Sequence, residues 1–430
     1  MKKVILTAFF VLLLGFCVSA HEIPDTVRIG INSLTLQEKV TLSSDTDIFT
    51  DVDFTGDLEF ADEDDYEELY EKYDEVYYID DSIAVTVSDN GTLLCNGIDT
   101  YEDKLDFFTD DEYIYCQKLK YRGAIRLIVK YDTILIVNVI SMDVYLYGVV
   151  GREMSESFPL EALKAQSVAA RNYTMISMGR HGSDGFDLCN NVHCQAYGAV
   201  AAEGKKIRQA VDETSGKVLV YDDEIVQCYY YSSNGGYTEN SENVWYASIG
   251  YLKGKKDPYE IANRIPNYNW TVTFTADQIR NHLLAKGIDL GQIKDIKVTK
   301  YSKNKHAMEV EIIGTKGTKE YYKDNIRAAF PSQLRSTLFT ITSGNSETNV
   351  KVLTGNGMET RTVKSATVLT GDGMYEIKSQ GKAGEFIFSG SGYGHSVGMS
   401  QYGAMFMAEE GYTYDEILEF YFTDTEIIDA

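Results

Sequence analysis

Short β-branched alternations fill the first third of the chain. Val27-Arg-Ile-Gly-Ile31 and Ile83-Ala-Val-Thr-Val87 place apolar side chains at every second position, the period of a half-buried strand. Ala124–Val129 and Thr133–Ile140 continue the strand pattern, as does the tyrosine-rich run Ile225–Tyr231. Between Pro159 and Met178 the pattern becomes that of a long helix. Pro159 suits a first turn, Ser157 is placed to cap it and Gly179 to stop it. Ala162, Ala165, Ala169 and Ala170 give that helix small faces against which neighbours can pack closely. Further helices are expected at Ala276–Lys286, Ser400–Glu409 and Tyr414–Tyr421, and further strands at Asp295–Lys300, Ala307–Ile313 and Glu385–Ser389. Strands and helices do not alternate regularly. The expected fold class is therefore α+β, with strand-rich mixed sheets, a long central helix and C-terminal helices, and not a doubly wound parallel sheet.

The first residues have a different pattern. Lys2 and Lys3 precede an apolar run of about thirteen residues, Val4 to Phe16, and Val18, Ser19 and Ala20 are small residues before a cut ahead of His21. A bilayer span needs about 20 apolar residues, so the run is short for a membrane helix. Residues 1–20 are read as a signal peptide, the alternative being an uncleaved N-terminal anchor; both put the rest of the chain outside the cytoplasm. A length of 430 residues suggests two to three domains, or one large fold with insertions. Residues 21–119 are expected to be a β-rich region carrying a stretch dense in Asp, Glu and Tyr near 44–81, which is either an acidic insertion or a solvated helix.

Composition narrows the partners. The formal net charge of −25 is opposed to nucleic-acid binding, which demands cations for the phosphate backbone. With 32 Tyr against 2 Trp and 5 Pro, the aromatic content suits strands first and a polar-aromatic groove second. Cys17 lies within the leader, leaving Cys95, Cys116, Cys189, Cys194 and Cys228. An odd number in an exported chain leaves at least one thiol unpaired or serving a metal. Cys95 and Cys116 are candidates to bridge, and Cys228 reads as a buried apolar residue.

Four constellations could carry chemistry. Glu153 stands just ahead of the long helix in an apolar, glycine-containing approach, and spacing alone favours a charge at the positive end of that helix. Ser232-Ser-Asn-Gly-Gly236 offers short polar groups on a tight turn, which spacing alone makes a hairpin turn. Gly390–Gly403 surrounds His395 with glycines but lacks the Gly-Lys-Ser ending and acidic ribose partner of a nucleotide site, so close backbone packing around an exposed imidazole is expected. His181, Cys189, His193 and Cys194 form the ligand set of a closed tetrahedral zinc site, with a Cys189–Cys194 disulfide as the alternative. No His-Glu-x-x-His occurs.

Taken together, several segments resemble the SpoIID/LytB family of bacterial cell-wall proteins. They are Asp143–Met154, Phe158–Arg171, Tyr230–Gly236, Trp245 with Tyr251-Leu252, Leu334–Thr337 and Gly394–Ala404, in the family's order and spacing. The resemblance extends over most of 120–425, which is accordingly read as the SpoIID/LytB-like domain. Asn172 and Ser396 depart from the usual pattern, and neither is among the residues assigned a role below.

The resemblance implies peptidoglycan glycan strands as partner, alongside other cell-wall hydrolases, and a lytic transglycosylase linked to sporulation. The alternative it carries is a non-catalytic, wall-binding enhancer of an amidase. It puts the family's acid on Glu153. It also assigns Arg171, Ser232, Ser233, Asn234, Gly235, Tyr251, His395 and Gln401 to the surrounding sugar groove. Some clostridial relatives hold zinc with two Cys and two His after the long helix, and the cluster from His181 to Cys194 looks similar. A zinc hydrolase is the weakest reading, because four protein ligands leave the metal no open position.

Overall fold

The N-terminal alternations pair into one eleven-stranded sheet. Its members are β1 (Thr26–Ile31), β2 (Lys39–Thr50), β3 (Tyr77–Val87), β4 (Leu93–Cys95), β5 (Ile98–Asp99), β6 (Lys104–Phe108), β7 (Ile114–Cys116), β8 (Leu119–Tyr121), β9 (Ala124–Lys130), β10 (Thr133–Ser141) and β11 (Leu188–Cys189). The computed structural model describes residues 23–31, 36–52, 76–245, 247–332, 334–344 and 382–430, with strands at 348–354, 357–363, 365–370 and 373–378. The leader and the centre of the acidic stretch, 53–75, lie outside the described residues. The ends of that stretch fall in β2 and β3.

The sheet runs β11-β1-β10-β9-β6-β2-β3-β4-β5, with β7 on β2 and β8 on β7. β9 and β10 form a hairpin whose two turn residues, Tyr131 and Asp132, are both left-handed at φ 50° and 57°, the turn that matches strand twist. β1 lies antiparallel to β10 from Thr26↔Ser141 to Ile31↔Ile136. The sheet therefore crosses the boundary expected near 119/120, and one core serves both sides of it.

Ser141 ends β10 and α1 (Met142–Glu153) begins at the next residue. Sequence reading placed no helix there. Met142, Tyr145, Leu146, Val149 and Val150 are buried at the i, i+3, i+4, i+7, i+8 spacing of one helical face. Gly148 and Gly151 lower its intrinsic propensity but admit close neighbours. A Cβ on Gly148 would come within 2.5 Å of the Tyr197 ring, and one on Gly151 within 1.9 Å of the Ala202 carbonyl. Glu153 is thus the last residue of a helix and not a charge at the start of the next one.

The long helix is α2 (Leu160–Ser177), close to its expected span. Pro159 is its N-cap, without a side-chain bond from Ser157, and left-handed Gly179 (φ 73°) follows it. α3 (Lys205–Asp212), β12 (Lys217–Tyr221), β13 (Glu224–Ile225) and β14 (Tyr230–Tyr231) come next.

A second hydrophobic core then interrupts the first. β15 (Asn269–Thr275), α4 (Ala276–Ala285), β16 (Ile293–Tyr301), β17 (Ala307–Gly314), β18 (Gly317–Tyr322) and β19 (Phe339–Ser343) surround Trp270, Phe274, Val310 and Phe330. Two hairpins follow, β20 (Thr348–Thr354) with β21 (Gly357–Val363) and β22 (Ser365–Thr370) with β23 (Gly373–Lys378). The chain then returns through β24 (Glu385–Ser391), which lies between β15 and β19. The region read as one domain over 120–425 therefore contains two cores.

β25 (Met399–Ser400), α5 (Gln401–Glu409), α6 (Tyr414–Tyr421) and β26 (Glu426–Asp429) rejoin the first core. α2 ends up central, packed by α1, α3, β12, α5 and α6. The fold is α+β as expected. Among the described residues no helix is long and apolar enough to cross a membrane. The five cysteines among them are free and buried, so the bridge considered between Cys95 and Cys116 is not formed; burial pushes both thiols up to about 12.

Candidate active site and metal centre

Glu153 sits where the α1 carbonyls end, at the negative pole of the helix, which disfavours a carboxylate. Burial raises its pKa above the usual carboxylate range. The opposing influences are a bond from Gln401, the charge of Arg152 and the backbone N–H of Ala196. Gln401 Nε2 lies 3.4 Å from Glu153 Oε2 and 3.5 Å from Gln166 Oε1 on α2. Gln166 is fully buried, and its Nε2 has no partner among the described residues. An unmatched buried donor beside the acid is costly and marks a place where an acceptor is expected.

Tyr230 borders the same carboxyl, whose charge helps keep the phenol protonated after burial has raised its pKa. Gln195 Nε2 donates to the Tyr230 hydroxyl (2.8 Å) and to the Ala170 carbonyl, while its Oε1 accepts from Tyr145 and Thr174. With its acceptor side filled, the Tyr230 hydroxyl retains a proton to donate. Gln166, Gln195 and Tyr230 were not singled out from sequence. The available signal was a glutamine at a core-spaced position among the α2 alanines.

The Ser232–Gly236 turn reaches the acid through α5. The Ser232 carbonyl accepts from the Tyr402 N–H (3.1 Å) and the Ser400 hydroxyl (3.4 Å), on either side of Gln401. Ser233 and Asn234 are buried, and the Ser233 hydroxyl has no partner among the described residues. They hold the turn, leaving Ser232 and Gly235 partly exposed. Beneath the turn lies a carboxylate that sequence reading missed. Glu260 accepts from the Asn234 N–H (2.6 Å), the Gly235 N–H (3.0 Å) and the Ser400 hydroxyl (2.6 Å). Burial, aided by the neighbouring Asp257, raises its pKa to about 7.

The folded Glu260 carboxyl keeps its proton to about pH 7, whereas its ordinary value is 4.5. Its contribution to stability is therefore complete below about pH 4.5 and is lost as pH rises through 7, a change of about 3 kcal/mol. Urea unfolding midpoints are expected to fall between pH 5 and pH 8, and Glu260→Gln to flatten that decline.

Two other expected groove residues are engaged elsewhere. Arg171 has no solvent exposure, and its guanidinium bonds Asp143 (2.7 Å) and the Lys217 carbonyl (3.0 Å). It fastens α2 to α1 and β12. Arg171→Met is expected to cost roughly 3–5 kcal/mol in urea unfolding, as for a broken buried ion pair, without weakening glycan binding by the protein that remains folded. The Tyr251 hydroxyl accepts from the Gln227 N–H (2.9 Å) while its ring lies against Tyr221.

The imidazole of His395 is half-buried, where an exposed ring was expected. Tyr229, Tyr231 and Trp245 surround it at 6.1, 5.1 and 5.2 Å between ring centroids. Its Nδ1 accepts from the Val397 N–H, and burial lowers its pKa to about 4, so the ring is neutral. The surrounding glycines do permit close packing. A Cβ on left-handed Gly394 would come within 2.4 Å of Tyr231 Cβ, and one on Gly398 within 2.2 Å of the Tyr229 carbonyl.

The four-residue cluster is assembled. The ligand atoms of His181, Cys189, His193 and Cys194 all lie within 4.8 Å of one another. His193 Nδ1 is 3.6 Å from Cys189 Sγ and 3.5 Å from Cys194 Sγ. A nitrogen and a sulfur on one tetrahedral zinc would be about 3.6 Å apart. His181 Nδ1 is held by Asp184 (3.3 Å), while its Nε2 is buried without a partner among the described residues. A carboxylate on one ring nitrogen that leaves the other available is the usual support of a ligating histidine. Asn191 Oδ1 accepts from the His193 N–H (2.9 Å), making the turn that lets adjacent His193 and Cys194 converge. These residues fit zinc. The same loop continues into Gln195 and Ala196, which meet Tyr230 and Glu153.

Glu153, Gln166, Gln195 and the metal-type cluster all fall within residues 130–221, which match the SpoIID family, described as stage II sporulation protein. Residues 252–359, over much of the second core, match a domain of unknown function, DUF8618. The chain is 26% identical over 338 residues to an uncharacterized protein of Brachyspira hyodysenteriae, covering 78% of this chain and 80% of that one. It is 32% identical over 304 residues to the amidase enhancer of Bacillus subtilis, covering 66% of this chain but 40% of the enhancer. Stage II sporulation protein D of Bacillus subtilis is 29% identical over 306 residues, covering 68% of this chain and 75% of that protein.

Proposed function

This chain is a relative of the stage II sporulation protein D and amidase-enhancer proteins and carries a SpoIID domain; from that premise we propose that it is a peptidoglycan lytic transglycosylase with Glu153 as its single acid and base. The observation that carries this reading is the state of Glu153. It is a buried carboxyl at a helix C-terminus, raised in pKa, touched by an amide donor and free of any ion pair among the described residues. Burial favours the protonated form that a general acid needs when a glycosidic oxygen arrives.

One carboxyl suffices if the sugar supplies the nucleophile. Glu153 donates its proton to the glycosidic oxygen as the bond from that oxygen to the anomeric carbon breaks. The 6-hydroxyl of the same sugar then attacks that carbon, closing the anhydro ring, and its proton passes to Glu153. The acid is regenerated and no water is consumed, so the second carboxylate needed for ordinary glycoside hydrolysis is dispensable. Gln401 donates to the carboxyl, Gln166 accepts from the same Gln401 amide, and Tyr230 borders the site.

Zinc would be held by His181, Cys189, His193 and Cys194, and when bound would supply folding free energy and not chemistry. The work is assigned outside the cytoplasm, in sporulation-linked wall remodelling with other wall hydrolases as partners. The amidase-enhancer relative favours a second reading, in which the groove binds glycan without cutting it. Purified protein added to stem-peptide-free glycan, and in parallel to peptide-bearing wall together with an amidase, separates the two. Soluble fragments released from the stripped glycan by the protein alone support cleavage, and faster peptide release by the amidase with the stripped glycan left intact supports the enhancer.

A further inference from the structure

The second core carries a groove of about 570 Å³, within the size of ordinary ligand sites. Leu338, Phe339 and Gly390 line it, together with exposed Tyr301 and the hydroxyl-bearing Thr340 and Ser391. An apolar floor flanked by an aromatic ring and hydroxyls suits a sugar, which has flat C–H faces and hydroxyl edges.

The groove adjoins the candidate active site. A Cβ on Gly235 would come within 2.7 Å of Leu338 Cδ2 and 3.0 Å of Ser391, so the Ser232–Gly236 turn rests on the end of the groove. Ser233 also pairs with Tyr393 across the same junction. Ser232 and Gly235 are separated by no more than about 11 Å of chain. Ser232 in turn holds the residues on either side of Gln401, whose amide reaches Glu153.

The rim has the opposite charge to the protein. Lys305 borders the groove and lies over the Tyr237 ring at 5.7 Å. Lys303 is on the same turn, where Asn304 donates to the Thr238 carbonyl (2.9 Å) and abuts Gly254, between Lys253 and Lys255. Tyr237 bridges to Lys256. Lys253, Lys256, Lys303 and Lys305 are exposed, and none is in an ion pair among the described residues. Four unpaired cations gathered on a chain of net charge −25 are arranged for an anion. Stem-peptide-free glycan is such a ligand, because each muramic acid then exposes a lactyl carboxylate.

We propose that this groove is an extended subsite for the anionic glycan strand, so that the domain matched at 252–359 holds the sugars flanking those at Glu153. The proposal rests on the glycan-cleaving reading above. Its test uses the full chain made inactive by Glu153→Gln, titrated with purified stem-peptide-free glycan several disaccharides long. Adding Tyr301→Ala and Lys305→Glu is expected to weaken binding by about tenfold or more. Affinity before those changes is expected to fall with added salt, and Lys305→Gln to reduce that dependence. Unfolding midpoints confirm that each variant is folded. Unchanged affinity in the folded Tyr301→Ala, Lys305→Glu protein, while the native chain still cleaves glycan, overturns the groove alone. Absence of both cleavage by the native chain and glycan binding by the Glu153→Gln protein overturns the parent reading and the groove with it.

Discussion

Glu153→Gln is expected to reduce the rate of glycan cleavage roughly 10²–10⁴-fold while leaving the unfolding midpoint near that of the native protein. Gln keeps the size of the side chain and can still meet Gln401, but it can neither give nor take the proton. Glu156, on the exposed segment between α1 and α2, should accept the same change with little loss of activity. The pH profile provides the companion result. The acid acts while protonated, so activity is present below the raised Glu153 pKa and is lost as pH rises through it. Gln401 donates to the ionised form and lowers that pKa. Gln401→Leu should therefore move the basic limb to higher pH even as it lowers the maximal rate. A limb that stays fixed in Gln401→Leu, or a Glu153→Gln protein of near-native rate, would contradict the assignment.

The second large effect concerns the cluster after α2. If zinc joins His181, Cys189, His193 and Cys194, its removal withdraws folding free energy on the order of 10 kcal/mol from the loop that carries Gln195 and Ala196. Chelation should then lower the thermal unfolding midpoint sharply. Activity should fall in step with the folded fraction, and Cys189→Ser should behave like the chelated protein. Metal content by emission spectroscopy, taken beside a thiol count on the native protein, checks the premise. One zinc per chain with Cys189 and Cys194 both reduced is expected. No zinc with an oxidised Cys189–Cys194 pair would contradict it.

Local punctuation made parts of this architecture legible from sequence. α2, α5 and α6 follow their apolar spacing between Pro159, Gly179 and Gly411, and the metal-type cluster lies within fourteen residues of chain. α1 was hidden because Gly148 and Gly151 look like helix breakers, and their purpose, admitting Tyr197 and Ala202, is visible only in three dimensions. The second core was hidden for a related reason. β15 pairs with β24 from Asn269↔Ser391 to Thr275↔Glu385, more than 100 residues apart, with no change in composition to announce it.

Long-range contacts also explain the uneven reading of the site. Glu153 and Gln401 are 248 positions apart, and only the family resemblance joined them before the structure did. That resemblance names polar residues without showing how deeply each is buried. Arg171 and Asn234 look like ligand contacts in sequence because they are polar, yet both are completely buried with their bonds directed inward. Glu260 escaped notice because nothing in the acidic sequence sets one glutamate apart until burial does.

The most direct measurement is the mass of the new ends formed when the purified native chain acts on stem-peptide-free glycan in water enriched in heavy oxygen. Closure of the 6-hydroxyl onto the anomeric carbon predicts anhydro ends, lighter than reducing ends by one water and free of heavy oxygen. Newly formed reducing ends in place of anhydro ends would mean that water is the nucleophile, and would contradict the single-carboxyl mechanism.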